Sequence, residues 1–113
     1  MNGIAWAEGL DVAITVSDAE GNIIYMNGRS ATTFSKYGGK SLEGTSLREC
    51  HKPESWQKIL RILDTGRANC YTIEKEGVKK LIYQAPWYED GQVAGLVELS
   101  MVVPQQMDHF IRT

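Results

Sequence analysis

Residues 17–39 constrain the fold of this chain more than any other stretch. Gly21 suits a turn position with positive φ, and the apolar residues after it predict a short buried strand at Ile23–Met26. Asn27 follows with the short side-chain acceptor that caps exposed N–H groups at the start of a helix. A turn, a strand and a capped helix in that order place the helix on one face of a sheet, so we expect an α+β fold.

The remaining strands are predicted from alternation and from short turns. Residues 10–17 alternate apolar and small or polar side chains with a period of two, which predicts the first strand. Three further strands are predicted at residues 68–75, 78–87 and 92–103. The turns between them are Glu76-Gly77 and Glu89-Asp90-Gly91. Because a parallel crossover needs about a dozen residues or more, these strands must be antiparallel neighbours.

One long helix is predicted at Pro53–Thr65. Proline suits the first helical turn, and Gly66 stands where a left-handed C-cap is expected. Its apolar residues form one stripe at helical spacing, made of Trp56, Ile59, Leu60 and Leu63. This stripe must face the sheet, whereas the glycines of residues 37–44 break any long helix and predict a mobile, looped segment.

Two runs of residues stand at characteristic spacings. The first contains Asp18, Gly21, Ile23, Tyr25 and Asn27, and the second contains Gly44, Leu47, His51, Pro53 and Glu54. Their spacing resembles the D-x-x-G-x-I-x-x-x-N and G-x-x-L-x-x-x-H-P-E runs of PAS sensory domains, and the resemblance covers residues 10–103. It implies a five-stranded antiparallel sheet in spatial order 2-1-5-4-3, with short helices and one longer helix packed on one face. Residues 1–9 are then an N-terminal arm or short helix, and residues 104–113 a C-terminal extension.

The resemblance also implies a function in signal transduction, typically bacterial or archaeal. We expect a sensory or interaction module that binds a small ligand in an internal cavity, mediates dimerisation, or does both. No constellation typical of catalysis occurs in the sequence, so we expect no enzymatic activity. Two alternatives stay open, a ligandless dimerisation module with a filled core and a sensor that depends on haem or flavin.

A ligand cavity is expected between the sheet and the long helix, with residues 37–44 as its gate. The residues expected to line it are Phe34, Trp56, Ile59, Leu63, Leu81, Tyr83, Val97 and Leu99. Aromatic residues at such positions are more often ordinary core residues, in which case they would fill the space instead.

Three further residues are candidates for cofactor chemistry. His51 lies close to the position where haem-binding PAS domains carry an iron-ligating histidine, although in those domains the histidine lies within the helix. The alternative is that His51 caps the helix start or faces solvent. Cys50 and Cys70 are expected to be small buried apolar residues, because the N-C-R-F-L-Q motif of flavin-photoadduct relatives is absent.

The last predicted strand is apolar on both faces, so it needs two covers. Val93, Val97, Leu99 and Met101 lie on one face, and Ala94, Leu96 and Val102 lie on the other. Helices supply one cover; the other is the N-terminal arm, another domain or a second copy, and we expect homodimerisation through this outer face. Glu98 interrupts the strand. It either bonds Lys79, Lys80 or a cavity ligand, or, as we expect, marks the exposed outer face.

Composition and charge argue against other classes of partner. The formal net charge is -2 and there is no run of Lys or Arg, so nucleic acid is not an expected partner. The sequence has neither a signal peptide nor an apolar run long enough to span a membrane, and its two cysteines do not form a disulfide framework; we expect a cytoplasmic protein. PAS domains commonly end their last strand with Asp-Ile-Thr, whereas this chain has Val102-Val103-Pro104, which puts signal transmission through that junction in doubt.

Overall fold

Five strands form one antiparallel sheet in the computed structural model, which describes residues 5–113 with the exception of the Cys50 side chain. The strands are β1 (Ala13–Ser17), β2 (Ile23–Met26), β3 (Asn69–Lys75), β4 (Val78–Glu89) and β5 (Gln92–Val102). Their spatial order is β2-β1-β5-β4-β3, and every neighbouring pair is antiparallel. The predicted sheet, its order and the α+β class are confirmed.

One short helix precedes β1, and further short helices connect β2 to the long helix. The helices are α1 (Ala5–Glu8), α2 (Gly28–Thr33), α3 (Leu47–Cys50) and α4 (Pro53–Thr65), with 3₁₀ turns at Ser35–Tyr37 and Gly39–Leu42. The bounds of α4 are those predicted, because proline starts the helix and Gly66, at φ 76°, ends it in the left-handed conformation. No helix within residues 5–113 has the length and apolar character that crossing a bilayer requires.

Two tight hairpins set the register of β3, β4 and β5. The first has positive φ at both central residues, Glu76 (54°) and Gly77 (79°), and the second at Asp90 (53°) and Gly91 (78°). Two successive positive φ values are typical of type I′ turns, whose twist matches that of the flanking strands. Because the second turn is only two residues long, β4 continues to Glu89, two residues beyond its predicted end at residue 87.

The sheet separates two hydrophobic clusters. Helix α4 packs on the inner face, whose buried residues are Ile23, Met26, Leu47, Ile59, Ile62 and Leu96. The outer face carries the second cluster, with Ala7, Ile14, Val16 and Tyr25 buried and Trp87, Val97 and Leu99 packed against them. Ala7 belongs to α1, so this helix covers β1 and β2 on the outer face.

The predicted stripe of α4 is correct in all but one residue. Ile59 is buried, and Trp56 and Leu63 pack against the inner cluster. Leu60, however, remains 40% exposed, and Ile62 takes its place at 4%. The helix is therefore rotated so that the Ile59–Ile62 edge faces the sheet, and Leu60, about 100° away from Ile59 around the axis, points outward.

Asn27 joins three elements through a side chain that is fully buried. Its Oδ1 accepts hydrogen bonds from the N–H groups of Ser30 and Ile14, each at 2.9 Å, which caps α2 as predicted. Its Nδ2 donates to the carbonyls of Ala7 and Val12, each at 2.8 Å. One amide therefore fixes α1, the start of β1 and the start of α2 relative to one another.

The two ends of the chain differ in how they meet the sheet. α1 packs on the outer face, while residues 1–4 of the expected N-terminal arm lie outside the described residues. Residues 104–113 form neither helix nor strand and are exposed throughout.

Candidate functional site

A cavity of about 550 Å³ lies between the inner face of the sheet and the segment that contains α2, the 3₁₀ turns and α3. This volume lies in the range of small-ligand pockets, about 300–1,000 Å³. Much of its wall is apolar, and comes from Ile23, Met26, Phe34, Leu42, Leu47 and Ile82. Its floor on β1 and β5 consists of smaller and polar residues, namely Ala13, Thr15, Glu98 and Ser100.

The sheet places Glu98 at the centre of a row of polar side chains. Glu98 pairs with Thr15 on β1 and with Gln84 on β4, so the three residues lie side by side across three adjacent strands. Thr15 Oγ1 is 2.6 Å from Ser30 Oγ, and Asn69 Nδ2 donates to Gln84 Oε1 at 3.1 Å. The neighbours on either side of Glu98 are thus held in place by bonds of their own.

The carboxyl group of Glu98 is electrostatically unusual. Burial raises its pKa above the ordinary value, while the nearby His51 charge and a hydrogen bond from Gln84 act in the opposite direction. None of the ion pairs found among residues 5–113 includes Glu98. The site therefore presents a poorly solvated carboxyl group without a cationic side chain bonded to it.

Sequence reasoning placed Glu98 on the wrong face of the sheet. We expected it to mark the exposed outer face, but it lines the cavity on the inner face. The alternation of β5 does put Glu98 with Ser100 and opposite Val97, as expected. The error lay in taking a charged residue as a sign of solvent. The odd-numbered residues Val97 and Leu99 are the ones on the outer face, where they pack against the cluster that contains Ala7 of α1.

His51 lies on the cavity wall at the end of α3. Its Nδ1 lies 2.8 Å from the carbonyl oxygen of Leu47, which accepts a hydrogen bond when Nδ1 carries the proton. In that tautomer Nε2 is the nitrogen available to a ligand. His51 does not cap α4, since Lys52 occupies that position.

Tyr71 on β3 is a cavity residue that the sequence analysis did not identify. Burial and the charge of Glu98 both raise the pKa of its phenol, so the two side chains interact across the sheet. Lys80, Glu49 and Tyr37 also line the cavity. The only signal in the sequence was strand parity: Tyr71 pairs with Ile82, and both point inward once the register is known.

The predicted lining residues divide into three groups. Phe34 lines the cavity. Trp56, Ile59 and Leu63 belong to the inner cluster beside it, with the Trp56 ring packed against the turn at Gly21.

The third group lies on the other side of the sheet. It consists of Leu81, Tyr83, Val97 and Leu99. Their pairing puts Leu81 and Tyr83 beside Met101 and Leu99, and Val97 and Leu99 pack against the α1 cluster. These four side chains therefore do not line this cavity, because the β5 face that sequence reasoning assigned to it is the outer one.

The segment expected to act as a gate carries two cavity residues, Tyr37 and Leu42. Between them, Lys40 Nζ donates to the carbonyl of Met26 and lies 3.3 Å from Glu43 and 3.9 Å from Glu8. The same ammonium lies 5.0 Å from the centre of the Tyr25 ring. Lys40 therefore connects the cavity wall to β2 and to α1.

The described side chains form neither a candidate metal site nor a buried thiol. No group of three His, Cys, Asp or Glu side chains within residues 5–113 is placed to hold a metal ion. Cys70 is exposed on β3, contrary to the expectation of a buried residue. The expectation for the Cys50 side chain lies outside the described part of the chain.

Comparison with known proteins bears on the fold. No family model and no curated protein matches the sequence. Among solved structures, the PAS domain of a protein from Colwellia psychrerythraea is 22% identical with a TM-score of 0.63, over 88% of this chain and 92% of that one. The PAS domain of an HTR-like protein from Haloarcula marismortui is 19% identical with a TM-score of 0.63, over 88% and 87%. The chain therefore has a PAS-like fold.

A further structure of this fold contains a bound compound. VqmA of Vibrio cholerae, solved bound to DPO, is 14% identical with a TM-score of 0.70. The similarity covers 88% of this chain and 56% of VqmA, so this chain spans about half the length of that protein.

Proposed function

We propose that this chain is a sensory module that binds a small ligand in the cavity between the inner sheet face and the α2–α3 segment. The observation that carries the proposal is a cavity of about 550 Å³ whose apolar walls surround the poorly solvated carboxyl group of Glu98. Pockets for small molecules typically combine apolar walls with a few polar groups that orient the ligand. That VqmA was solved bound to DPO supports ligand binding on this fold without identifying the ligand here.

The floor of the cavity argues against the alternative of a filled core. The side chains of Ala13, Thr15 and Ser100 are short, and they face the space in front of β1 and β5. Of the three large residues expected to fill it, Phe34 lines the cavity, whereas Tyr83 lies on the outer face and Trp56 packs against the β1–β2 turn. The short floor residues, together with the placement of Tyr83 and Trp56 away from the cavity, leave room for a ligand.

The signal would leave the cavity through residues 37–44. A ligand in contact with Tyr37 and Leu42 favours one arrangement of this segment over another, to the extent that its affinity for the two differs. Lys40 in the same segment contacts β2 and Glu8 of α1. A shift in Lys40 therefore changes how α1 is held on the outer face.

The outer face is where we propose that a second copy of the chain binds. α1 covers β1 and β2, but Tyr83 on β4 is 39% exposed and its neighbours Leu81 and Met101 are half-buried. A homodimer through β3, β4 and β5 would cover these residues. Sedimentation at high concentration should detect a dimer that Tyr83→Glu converts to monomer; a monomer at every concentration would contradict this part of the proposal.

Ligand binding itself is tested on the purified full chain. Mass spectrometry without denaturation should detect a bound molecule, and an absorption spectrum of the same sample should show whether that molecule is haem or flavin. Ser100→Phe fills the cavity from its floor and should abolish binding. Val102→Phe is the matched control on the same strand, because Val102 is 55% exposed and outside the cavity.

Two results would contradict ligand binding. One is a sample that carries no bound molecule and whose melting temperature no compound of a metabolite library raises. The other is equal ligand binding by the wild-type protein and by Ser100→Phe.

A further inference from the structure

We propose that the cavity selects a small compound with a ring-sized apolar body and a positively charged nitrogen, an amine or an amidine, which pairs with Glu98. The inference rests on the proposed function and specifies the class of its ligand. It follows from the position of one carboxyl group and from the character of the walls around it.

The backbone of Glu98 is fixed within the sheet, and its side chain lines the cavity. Its strand pairs with β1 on one side and β4 on the other, so the backbone of β5 cannot shift without breaking both ladders. Of the two polar neighbours in register, Thr15 is already bonded to Ser30, and Gln84 supplies the hydrogen bond that lowers the pKa of Glu98. The remaining acceptor sites of a carboxylate are thus available to a group that enters the cavity.

A carboxylate in such a place needs a cation to be stable in its charged form. Burial of an unpaired charge is costly, and a bound cation with good geometry offsets that cost. None of the ion pairs among the described residues satisfies Glu98, whereas both acidic partners of Lys40 are paired. The missing cation is the feature a ligand would supply.

The other titratable groups at the cavity do not supply the cation that Glu98 lacks. Lys80 lies on β4, four residues from Gln84, and thus about 13 Å along the strand from the level of Glu98. His51 is the nearest side chain that can become cationic, but it forms none of the ion pairs found within residues 5–113. Tyr71 and Tyr37 cannot supply a cation, since a phenol is never positively charged, and Glu49 is a further acidic residue. At neutral pH the centre of the cavity therefore favours a cation.

The walls determine the rest of the ligand. Phe34, Met26 and Ile82 surround the space in front of Glu98 with apolar surface. An amine with a purely polar body would lose its hydration there without replacement, whereas an aromatic or aliphatic ring would be favourably buried. Binding of the cation should weaken as the pH falls, because Glu98, whose pKa burial raises, becomes protonated.

Three ring compounds of nearly equal shape test the charge directly. Benzamidine is a cation, benzamide is neutral and benzoate is an anion. We expect two-dimensional NMR titrations of the full chain at pH 7 to give benzamidine at least about tenfold tighter binding than benzamide, with benzoate weakest. Benzylamine, which is a cation, should likewise bind more tightly than the neutral benzyl alcohol. Shifted resonances should come from residues on the inner face, such as Ala13 and Ile82.

Two variants assign the preference to one residue. Glu98→Gln keeps the shape of the side chain and should reduce the benzamidine preference to less than about threefold. Glu89→Gln removes an exposed carboxylate at the β4–β5 turn, outside the cavity, and should leave the preference unchanged.

The outcome separates this inference from the function on which it rests. Equal affinity for benzamidine and benzamide, or a preference that survives in Glu98→Gln, would overturn the selection of cations. If the neutral probes still bound in those experiments and Ser100→Phe abolished their binding, the cavity would remain a ligand site of another class. If none of the five compounds bound, the cation inference would be wrong, and the bound molecule found by mass spectrometry would decide the proposed function alone.

Discussion

Replacing Asn27 by alanine should destabilise this protein more than any other single amide substitution. The Asn27 side chain is 0% exposed and makes four hydrogen bonds of 2.8 to 2.9 Å. Alanine would leave the N–H groups of Ile14 and Ser30 and the carbonyls of Ala7 and Val12 without these partners. At a net value of about 1 kcal/mol for each buried bond, the loss should be about 4 kcal/mol.

This loss is a large fraction of the stability expected for a single domain, about 5–15 kcal/mol. Urea unfolding followed by tryptophan fluorescence should therefore give a midpoint about 2 M lower, with a slope of about 2 kcal/mol/M. Asn69→Ala is the matched control, because Asn69 is half-buried and its amide makes one hydrogen bond, to Gln84. It should cost about 1 kcal/mol at most.

A second substitution of Asn27 tests the link between α1 and the sheet. Asn27→Asp retains acceptor oxygens for Ile14 and Ser30 but loses the donor to Ala7, so hydrogen exchange should increase in α1 before it increases in α2. If Asn27→Ala unfolded within about 1 kcal/mol of the wild-type protein, the central position of this amide would be refuted.

Three further predictions concern the sheet. Gly95→Ala would place Cβ 1.8 Å from the carbonyl oxygen of Ser17 and 2.7 Å from Trp87 Nε1, so we expect a loss of more than about 3 kcal/mol, against less than about 0.5 kcal/mol for Gly9→Ala, whose Cβ would meet nothing within 4 Å; equal midpoints would contradict it. Burial and the carboxylates of Glu8 and Glu43 raise the pKa of Tyr25 to about 12, so the folded state keeps this proton longer than the unfolded chain and stability should fall as the pH rises from 10 towards 12. Tyr25→Phe should remove both the phenolate absorbance step near pH 12 and this dependence, and retention of the step would show that another tyrosine titrates there. Burial raises the pKa of Glu98 above its ordinary 4.5, so stability should fall as the pH rises from 4.5 through the folded-state value; Glu98→Gln should be more stable than wild type at pH 7, and a gain that persisted below pH 4.5 would refute the cause.

Local signals were sufficient for the boundaries of most elements. The proline at the start of α4 and Gly66 at its end act within one helical turn, so the helix was predicted to the residue. Asn27 was identified as a cap for the same reason. The two-residue turns required antiparallel neighbours, since no other pairing is reached by so short a connection.

Local signals did not show which face of β5 meets α4. Alternation groups Val97 with Leu99 and separates both from Glu98, but both groups contain apolar residues, so the pattern does not identify the face that meets α4. The charge of Glu98 pointed to solvent. In the structure Glu98 is instead one of the polar residues of a partly enclosed cavity, where its side chain is largely buried.

The cavity itself required residues that are far apart in the chain. Tyr71, His51 and Glu98 come from β3, the end of α3 and β5, and nothing in their sequence separation indicates that they meet. Their meeting depends on the register of the hairpins and on the position of the segment from α2 to α3. Sequence reasoning found Phe34 and proposed His51, but it missed Tyr71 and placed four outer-face residues in the lining.

The short turns and the length of α4 were thus encoded in neighbouring residues, because backbone conformation responds to side chains within a few positions, whereas the strand order came from the resemblance to PAS domains. Which side of the sheet is hollow was decided by long-range packing. α1 and Trp87 lie on one face and α4 lies on the other, and short residues on β1 and β5 remain uncovered between β2 and β4. Burial depends on all the elements that surround a residue, and no local pattern contains that information.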